Sequence, residues 1–191
     1  SVRKYGGDLF EVVVVNNGSD DKTFDIASNF SFVRVVDEPK KGLLWARHKG
    51  LTEAKGELLA YIDSDCHLSP DWHRIISKEF GQKKNLIALS GPARYYDLTF
   101  FRNFLAQLWW WMTAPVAYRL VGYTIWGGNF VVRKTALEQI GGFNTSISFY
   151  GEDTNIARRL YAVGSVVFRM DFFVYTSGRR IANGGLAKAF L

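Results

Sequence analysis

Two aspartates on an i, i+2 spacing, Asp63 and Asp65, close the apolar run Leu58-Leu59-Ala60-Tyr61-Ile62 with Ser64 between them. Carboxylates so spaced at a strand end can share a hard divalent cation, one directly or through water, with substrate phosphates completing the shell. The same pair also suits a turn whose acids cap the next helix. His67 follows closely and, as a lone imidazole, reads as a loop residue. Asp153, in Gly151-Glu152-Asp153 ahead of Arg158 and Arg159, is either a helix N-terminal carboxylate favoured by the dipole or a general base for a hydroxyl nucleophile. The adjacent glycines of Gly127-Gly128-Asn129 permit close approach to a ligand, or form a bulge. Ser177-Gly178-Arg179-Arg180 offers two guanidiniums for phosphate oxygens, with a solvated loop as the alternative. Arg47 lies in Ala46-Arg47-His48-Lys49, where a surface ion pair is the simpler use.

The elements that must position these groups alternate between strand and helix. Val12-Val13-Val14-Val15 reads as a strand buried on both faces of a parallel sheet. The loop Asn16-Asn17-Gly18-Ser19-Asp20-Asp21 follows, and Asp20 or Asp21 can cap a helix running to about Asn29. Strands are expected over 32–36, 58–62, 86–90, 130–133, 166–168 and 172–175. Helical spacing over 42–55 offers Leu43, Leu44, Ala46, Leu51 and Ala54 to one face. Ser69-Pro70-Asp71 opens another helix with Ser69 as its cap. Helices over 135–140 and 153–162 stop at Gly141-Gly142 and Gly164. This pattern predicts an α/β fold with a mostly parallel sheet flanked by helices, and ligands at the carboxyl ends of its strands.

The chain has 191 residues, 24 Lys and Arg against 18 Asp and Glu, and a formal charge of +6. With 48% apolar and 22% charged residues it is neither disordered nor collagen-like. One cysteine, Cys66, excludes an intramolecular disulfide framework and a multi-cysteine metal cluster. The charge suits an anionic membrane surface or a phosphorylated substrate, and no basic run supports nucleic acid. Ten of the 30 aromatic residues lie within residues 98–130, with Arg102 and Arg119 as that window's charges. Its charge-free stretch, 103–118, is shorter than the roughly 20 apolar residues a spanning helix needs. Trp109, Trp110, Trp111, Tyr118 and Trp126 between arginines suit a helix lying at a membrane interface, with a core helix or an oligomer contact as alternatives. Both chain ends read as cuts within a longer protein: Ser1 to Gly7 resembles a helix tail, and the last residues lack a terminator.

In their order, these signals resemble family 2 glycosyltransferases. Val12-Val13-Val14-Val15-Asn16-Asn17-Gly18-Ser19-Asp20-Asp21-Lys22-Thr23, then Gly42 with Ala46-Arg47 and Gly50, Ala54-Lys55-Gly56-Glu57 and Asp63-Ser64-Asp65 are similar to the nucleotide-binding half. Gly127-Gly128-Asn129, Gly141-Gly142-Phe143-Asn144 and Gly151-Glu152-Asp153-Thr154 are similar to the acceptor half. The resemblance implies one Rossmann-like GT-A domain over 1–191, with a nucleotide half at about 8–92 and an acceptor half at about 93–180. It implies a UDP- or GDP-sugar donor, Mg²⁺ or Mn²⁺, and inversion at the sugar carbon.

Carried over by residue, Asn17, Gly18, Ser19, Asp20, Arg47, Asp63, Ser64, Asp65, Gly128 and Asn129 would bind the donor, with Asp65 and Asp63 on the metal. Asp153 would be the catalytic base with Glu152 beside it, and Trp126, Arg179 and Arg180 would face the diphosphate or acceptor. Two departures stand out. The family opens with a strand and an acidic residue that have no equivalent before Val12. Asn17 also stands where the family carries an acid against the base, which leaves uracil and guanine open. The expected activity is sugar transfer to a lipid-linked or saccharide acceptor at the cytoplasmic face of a membrane. Alternatives are a transferase acting on a soluble saccharide or protein, with residues 98–126 buried in the fold or in a dimer, and a binding or scaffold module without turnover. A nucleotidyltransferase is disfavoured, because no Gly-x-Gly-Thr-Arg-type loop is present.

Overall fold

The computed structural model describes residues 1–7, 9–147, 151–179 and 181–182. The chain opens with a short helix, α1 (Val2–Tyr5), and continues through β1 (Val12–Asn16), α2 (Thr23–Ser28), β2 (Val33–Asp37), α3 (Leu43–Glu53) and β3 (Leu58–Ile62). It then forms β4 (His67–Leu68), α4 (Trp72–Gln82), β5 (Leu86–Ser90), β6 (Ala93–Tyr95) and the long α5 (Phe100–Val121). β7 (Asn129–Arg133), α6 (Lys134–Gln139), α7 (Glu152–Tyr161), β8 (Ser165–Phe168) and β9 (Val174–Thr176) complete it.

The α/β class is as expected, but the ladders are mixed rather than mostly parallel. β1 pairs with β2 in parallel, while a separate four-stranded sheet has the order β3-β7-β5-β8. β7 runs antiparallel to both β3 and β5, and β5 is parallel to β8. After α5 the chain enters this sheet from the opposite end, so β7 reverses between its neighbours. A third sheet, β4-β9-β6, combines one antiparallel and one parallel ladder. β4 and β6 are too short to show a period of two, which is why the sequence pattern does not reveal them.

The four-stranded sheet separates two apolar clusters. On one face Leu44 and Leu51 of α3, Leu137 of α6, and Ile156 and Leu160 of α7 meet Ala88, Phe130, Val132 and Val166. On the other, Trp72, Ile75, Ile76 and Phe80 of α4 meet Leu86, Leu89 and Val131, with Phe172 and Val174. The helices supply these residues at i, i+3, i+4 spacing and β7 by alternation, while a register shift between Leu86 and Ala88 puts Leu86 and Leu89 in the same cluster.

Four local expectations need correcting. Val12–Asn16 is a strand in a parallel pair, but it is half-buried along its length rather than covered on both faces. Its ladder runs to β2 alone among the described strands, so no partner covers its other edge. Ser69 does not cap α4: its side chain is buried, its carbonyl accepts the Trp72 N–H at 3.1 Å, and Asp71 occupies the N-cap position. In α3 the buried residues are Leu44, Arg47 and Leu51, and Leu43 is exposed. At α2 the N-cap position falls on Lys22 rather than Asp20 or Asp21, and Asp21 just before it accepts the Thr23 N–H at 2.9 Å.

α5 is longer than the charge-free stretch that marks it. Ala106, Trp110 and Ala114, one turn apart, are buried, and Trp110 stacks on Phe168 with ring centroids 6.0 Å apart. Gln107 donates to the Ala93 carbonyl and Tyr118 to the Val166 carbonyl. The remaining circumference exposes Phe100, Phe104, Trp109, Trp111, Met112 and Leu120. Among the described residues, no helix is long and apolar enough to cross a membrane.

Candidate active site

The antiparallel ladder of β3 and β7 builds the site's floor. Ile62 stands opposite Asn129, so the turn entering β7 lies against the turn leaving β3. The Asp63 N–H points to the Gly128 carbonyl at 3.4 Å, and the Cys66 N–H closes the aspartate turn on the Asp63 carbonyl at 2.9 Å. Ser90, buried at the end of β5, fixes the other turn: its hydroxyl donates to the Asn129 carbonyl at 2.8 Å and accepts the Trp126 N–H at 3.0 Å.

Arg47 gathers the charged groups. It reaches in from α3, 8% exposed, and donates to the Gly127 carbonyl at 2.9 Å and to Asp153 Oδ1 at 3.3 Å. The Nη2 that bonds Gly127 also lies 4.0 Å from Asp63 Oδ1. Phe130 lies beneath the guanidinium, 5.8 Å from ring centre to Cζ. A guanidinium suits this position because its planar fork can serve several acceptors at once.

Asp153 is held from outside its own helix. Gly151 occupies the N-cap of α7 with φ +83°, a conformation glycine adopts without strain. The Asp153 carboxylate accepts the Gly127 N–H at 2.7 Å and the Arg47 contact, while 30% of its side-chain surface still meets solvent. Burial raises its pKa above the ordinary aspartate value against the pull of Arg47 and the Gly127 N–H, and the neighbouring Glu152 charge pushes the same way as burial. Gly127, part of the glycine motif but given no role by the resemblance, is therefore a site residue in its own right. A Cβ there would collide with Asp153 Oδ1 and Arg47 Nη2. A Cβ at Gly128 would sit 3.0 Å from Asp63 Oδ2 and closer still to the Trp126 indole. The adjacent glycines were the visible signal for both.

Asp65 faces a different set. Thr176, on β9, donates to its Oδ1 at 3.3 Å, and Arg179 to its Oδ2 at 3.1 Å. Asp97 anchors that basic segment by accepting from the Ser177 hydroxyl and the Gly178 N–H, each at 2.5 Å. These bonds hold the Asp97 carboxyl below its usual pKa. Thr176 and Asp97 carry no motif signature, so neither was anticipated. Arg180 lies outside the described residues.

The donor set fits a hard divalent cation. Asp63 and Asp65 are oxygen ligands with 47% and 30% of their side-chain surface open, and two carboxylates leave room for phosphate oxygens and water. Among the described residues there is no cluster of three or more His, Cys, Asp or Glu arranged as an all-protein cage. Cys66 contributes no thiolate, since burial pushes its pKa up to about 12.

Two anticipated donor contacts are spent elsewhere. Asn129 is buried, accepting from Trp72 Nε1 at 3.0 Å and donating to the Phe172 carbonyl at 2.8 Å, so it braces the turn rather than lining an open pocket. The Asn17 amide donates to the Glu38 and Lys40 carbonyls and accepts the Gly42 N–H at 2.7 Å. It thereby fixes the start of α3, which carries Arg47. Gly18 has φ +61° and packs beside Lys41, while Ser19, Asp20 and Ser64 are exposed and Glu152 is half-buried. Trp126 is half-buried, edge-on to Trp110 of α5 at 6.1 Å.

The sequence profile of glycosyl transferase family 2 matches residues 1–141, and that of the N-terminal domain of galactosyltransferase matches residues 112–181. The probable glycosyltransferase YdaM of Bacillus subtilis is 28% identical over 176 residues, covering 84% of this chain and 41% of its own length. The mannosyltransferase PcManGT from Pyrobaculum calidifontis, solved with GDP-Man and Mn²⁺, superposes with a TM-score of 0.64 at 22% identity, over 87% of this chain and 47% of that one. S. aureus TarS 1-349 gives a TM-score of 0.67 at 17% identity, over 87% and 51%. The chain thus spans only part of the length of these relatives. The fold is that of the GT-A glycosyltransferases, and the chain belongs to glycosyl transferase family 2.

Proposed function

We propose that this chain forms the catalytic part of a metal-dependent, inverting glycosyltransferase, moving a sugar from a nucleoside diphosphate to a lipid-linked or saccharide acceptor at a membrane surface. The observation that carries the reading is the Asp153 carboxylate, held by Arg47 and the Gly127 N–H beside Asp63 at a strand end. Asp63 and Asp65 would hold Mg²⁺ or Mn²⁺ together with the diphosphate, and the bound cation would neutralise charge on the leaving group. Asp153 accepts the proton of the acceptor hydroxyl as that oxygen attacks the sugar carbon from the face opposite the diphosphate. Its raised pKa makes it a stronger base than an exposed aspartate. Arg47 fixes its orientation, and Arg179, 71% exposed, is free to exchange Asp65 for a phosphate oxygen. The donor complexes of the solved relatives, GDP-Man in one and UDP-GlcNAc in another, support a sugar nucleotide donor here.

The test is a thermal melt with UDP and GDP, with Mn²⁺ or chelator, followed by transfer assays with that nucleotide's sugars. A nucleotide at about a hundred times its dissociation constant adds on the order of 2.7 kcal/mol. The shift should need metal and vanish in Asp63→Asn/Asp65→Asn. No shift with either nucleotide in a folded sample sinks the donor reading.

The membrane part rests on α5. Its exposed aromatic and aliphatic side chains, with Arg102 and Arg119 exposed near its ends, match an interfacial helix at an anionic cytoplasmic leaflet. Trp109→Ser/Trp111→Ser should abolish flotation with anionic vesicles at low salt while sparing the buried Trp110. Flotation of neither form, with a concentration-dependent rise in mass, would instead favour α5 as a contact between copies.

A further inference from the structure

The stretch that carries Arg179 is fastened to the loop ahead of α5 rather than to the turn it reaches. Thr176 closes β9, and its carbonyl accepts the Tyr96 N–H at 3.3 Å. One residue on, Asp97 Oδ2 accepts the Ser177 hydroxyl and Oδ1 the Gly178 N–H, each at 2.5 Å. Gly178 is buried against Leu98: a Cβ there would stand 2.3 Å from Leu98 Cγ, so a larger residue would displace that side chain. The Gly178 carbonyl accepts the Ala182 N–H at 2.8 Å. Residues 96–98 and 176–178 are thus closed on each other pair by pair. The loop is held in its turn, since Thr99 is the N-cap of α5 and Gln107 of that helix donates to the Ala93 carbonyl at 3.1 Å.

This clasp delivers one cation to the aspartate turn. Arg179 donates to Asp65 Oδ2 at 3.1 Å and Thr176 to Oδ1 at 3.3 Å, so both oxygens of Asp65 accept from the same short segment. An ion pair made by a side chain that is 71% exposed is weak by itself, because ordering the long side chain offsets the attraction. With the backbone of 177–178 already fixed by Asp97, only the side chain remains to be ordered. We propose that Asp97 is a positioning residue, which acts by holding Arg179 where a divalent cation and a diphosphate would each meet it. The proposal rests on the assignment of Asp63 and Asp65 to a cation given above. The two guests feel Arg179 with opposite sign. A bare cation must share Asp65 with a guanidinium that repels it, whereas a diphosphate gains a planar donor already in place. Asp97 therefore lowers the affinity for metal alone and raises it for nucleotide. It does so through hydrogen bonds rather than its own charge. An asparagine there can still accept the Gly178 N–H and donate to Ser177 Oγ.

Titration of Mn²⁺ alone, read by the EPR signal of the free ion, and then of UDP and GDP at saturating Mn²⁺ tests the assignment on the 191-residue chain. Asp97→Ala and Arg179→Ala should each bind Mn²⁺ alone about two- to fivefold more tightly, the worth of an exposed ion pair. Each should bind the nucleotide about two- to tenfold more weakly, the cost of ordering one long side chain. Asp97→Ala/Arg179→Ala should match Arg179→Ala, because one residue acts through the other. Asp97→Asn should keep most of both wild-type affinities. Ser177→Ala removes one of the two bonds to Asp97 and should shift both affinities in the same directions by less, which carries the test should Asp97→Ala not fold. Asp97→Ala and Ser177→Ala both binding as wild type, cation and nucleotide affinities falling together, or effects that add in the double variant overturn the proposal. In each of those cases Mn²⁺-dependent nucleotide binding by the wild type keeps the transferase reading. The expected Mn²⁺ changes with no response to UDP or GDP keep Asp97 in its role and overturn the donor reading, and no Mn²⁺ binding by any form overturns both.

Discussion

The β1–β2 layer and the β3-β7-β5-β8 sheet are both built on largely apolar strands, yet they are packed very differently. Every residue of β1 is half-buried and α2 buries none, leaving Phe24, Ile26, Phe30 and Phe32 in solvent. Polar contacts hold the layer instead: Arg34 bridges Glu11 and Glu53, and Asn16 donates to Asp37. In the larger sheet Ala88, Leu89, Phe130 and Val132 are fully enclosed between helices. Arg47, Asp63 and Asp153 draw their positions from that enclosed half. The loop at residues 16–21, to which the family resemblance assigns the base, hangs on the open half. The proposed chemistry and the proposed recognition of the base thus rest on ground of unequal stability, and the two can be separated by experiment.

The largest effect should come from the enclosed half's carboxylate. Asp153→Asn should cut transfer by about 10²- to 10⁴-fold, the usual contribution of a general base, without lowering the melting temperature. The second point follows from the raised pKa, since the folded state disfavours the ionised form and stability falls as pH rises through that group's titration. The acidic limb of kcat/KM should lie above the ordinary aspartate range, and move higher still in Arg47→Gln, whose charge normally opposes the rise. A limb at the usual aspartate value would remove Asp153 from the role.

Packing gives the next contrast. Leu89→Ala should cost about 2–5 kcal/mol in urea unfolding, whereas Ile26→Ser, in the open layer, should stay within about 0.5 kcal/mol. Equal losses would mean that the β1–β2 layer is covered in solution.

Glu79 sharpens the same contrast through pH. It is buried at the end of α4 against Lys83 and Arg169; burial alone would raise its pKa, and the two cations bring it below the usual glutamate value. Its stabilisation is present at neutral pH and is lost as pH falls through the ordinary glutamate range to the depressed value. Glu79→Gln should flatten that part of the stability profile, while Glu11→Gln, more exposed in the open layer, should change it less. The smallest effect is kinetic: β1 and β2 amides should exchange hydrogen through local opening well below the global unfolding energy, and those of β5 and β7 only near it.

Much of this was readable from residue order. Leu58–Ile62 and Leu86–Ser90 are strands at the bounds their patterns suggest, and both candidate acids of the turn sit where the strand ends. The misses share one cause, partners far away in sequence. Arg47 looks like a surface cation within its own helix, and only Asp153, 106 residues later, explains its burial. Asn17 and Asn129 have amides suited to a ligand, but backbone groups brought in by folding already use them. Thr176 and Asp97 reach the site through a small sheet and a loop that leave no periodic trace.

The contact between Trp126 and Gly128 has an optical consequence. Trp126 lies against the glycine turn beside Asp63 and edge-on to Trp110, so its emission reads out the local field of that turn. With the other tryptophans changed to phenylalanine, a single indole would remain against the glycine turn beside Asp63. The protein thereby carries its own label, and arrival of an anionic guest at the turn would be seen as a colour change in a cuvette, with no substituent added to the guest.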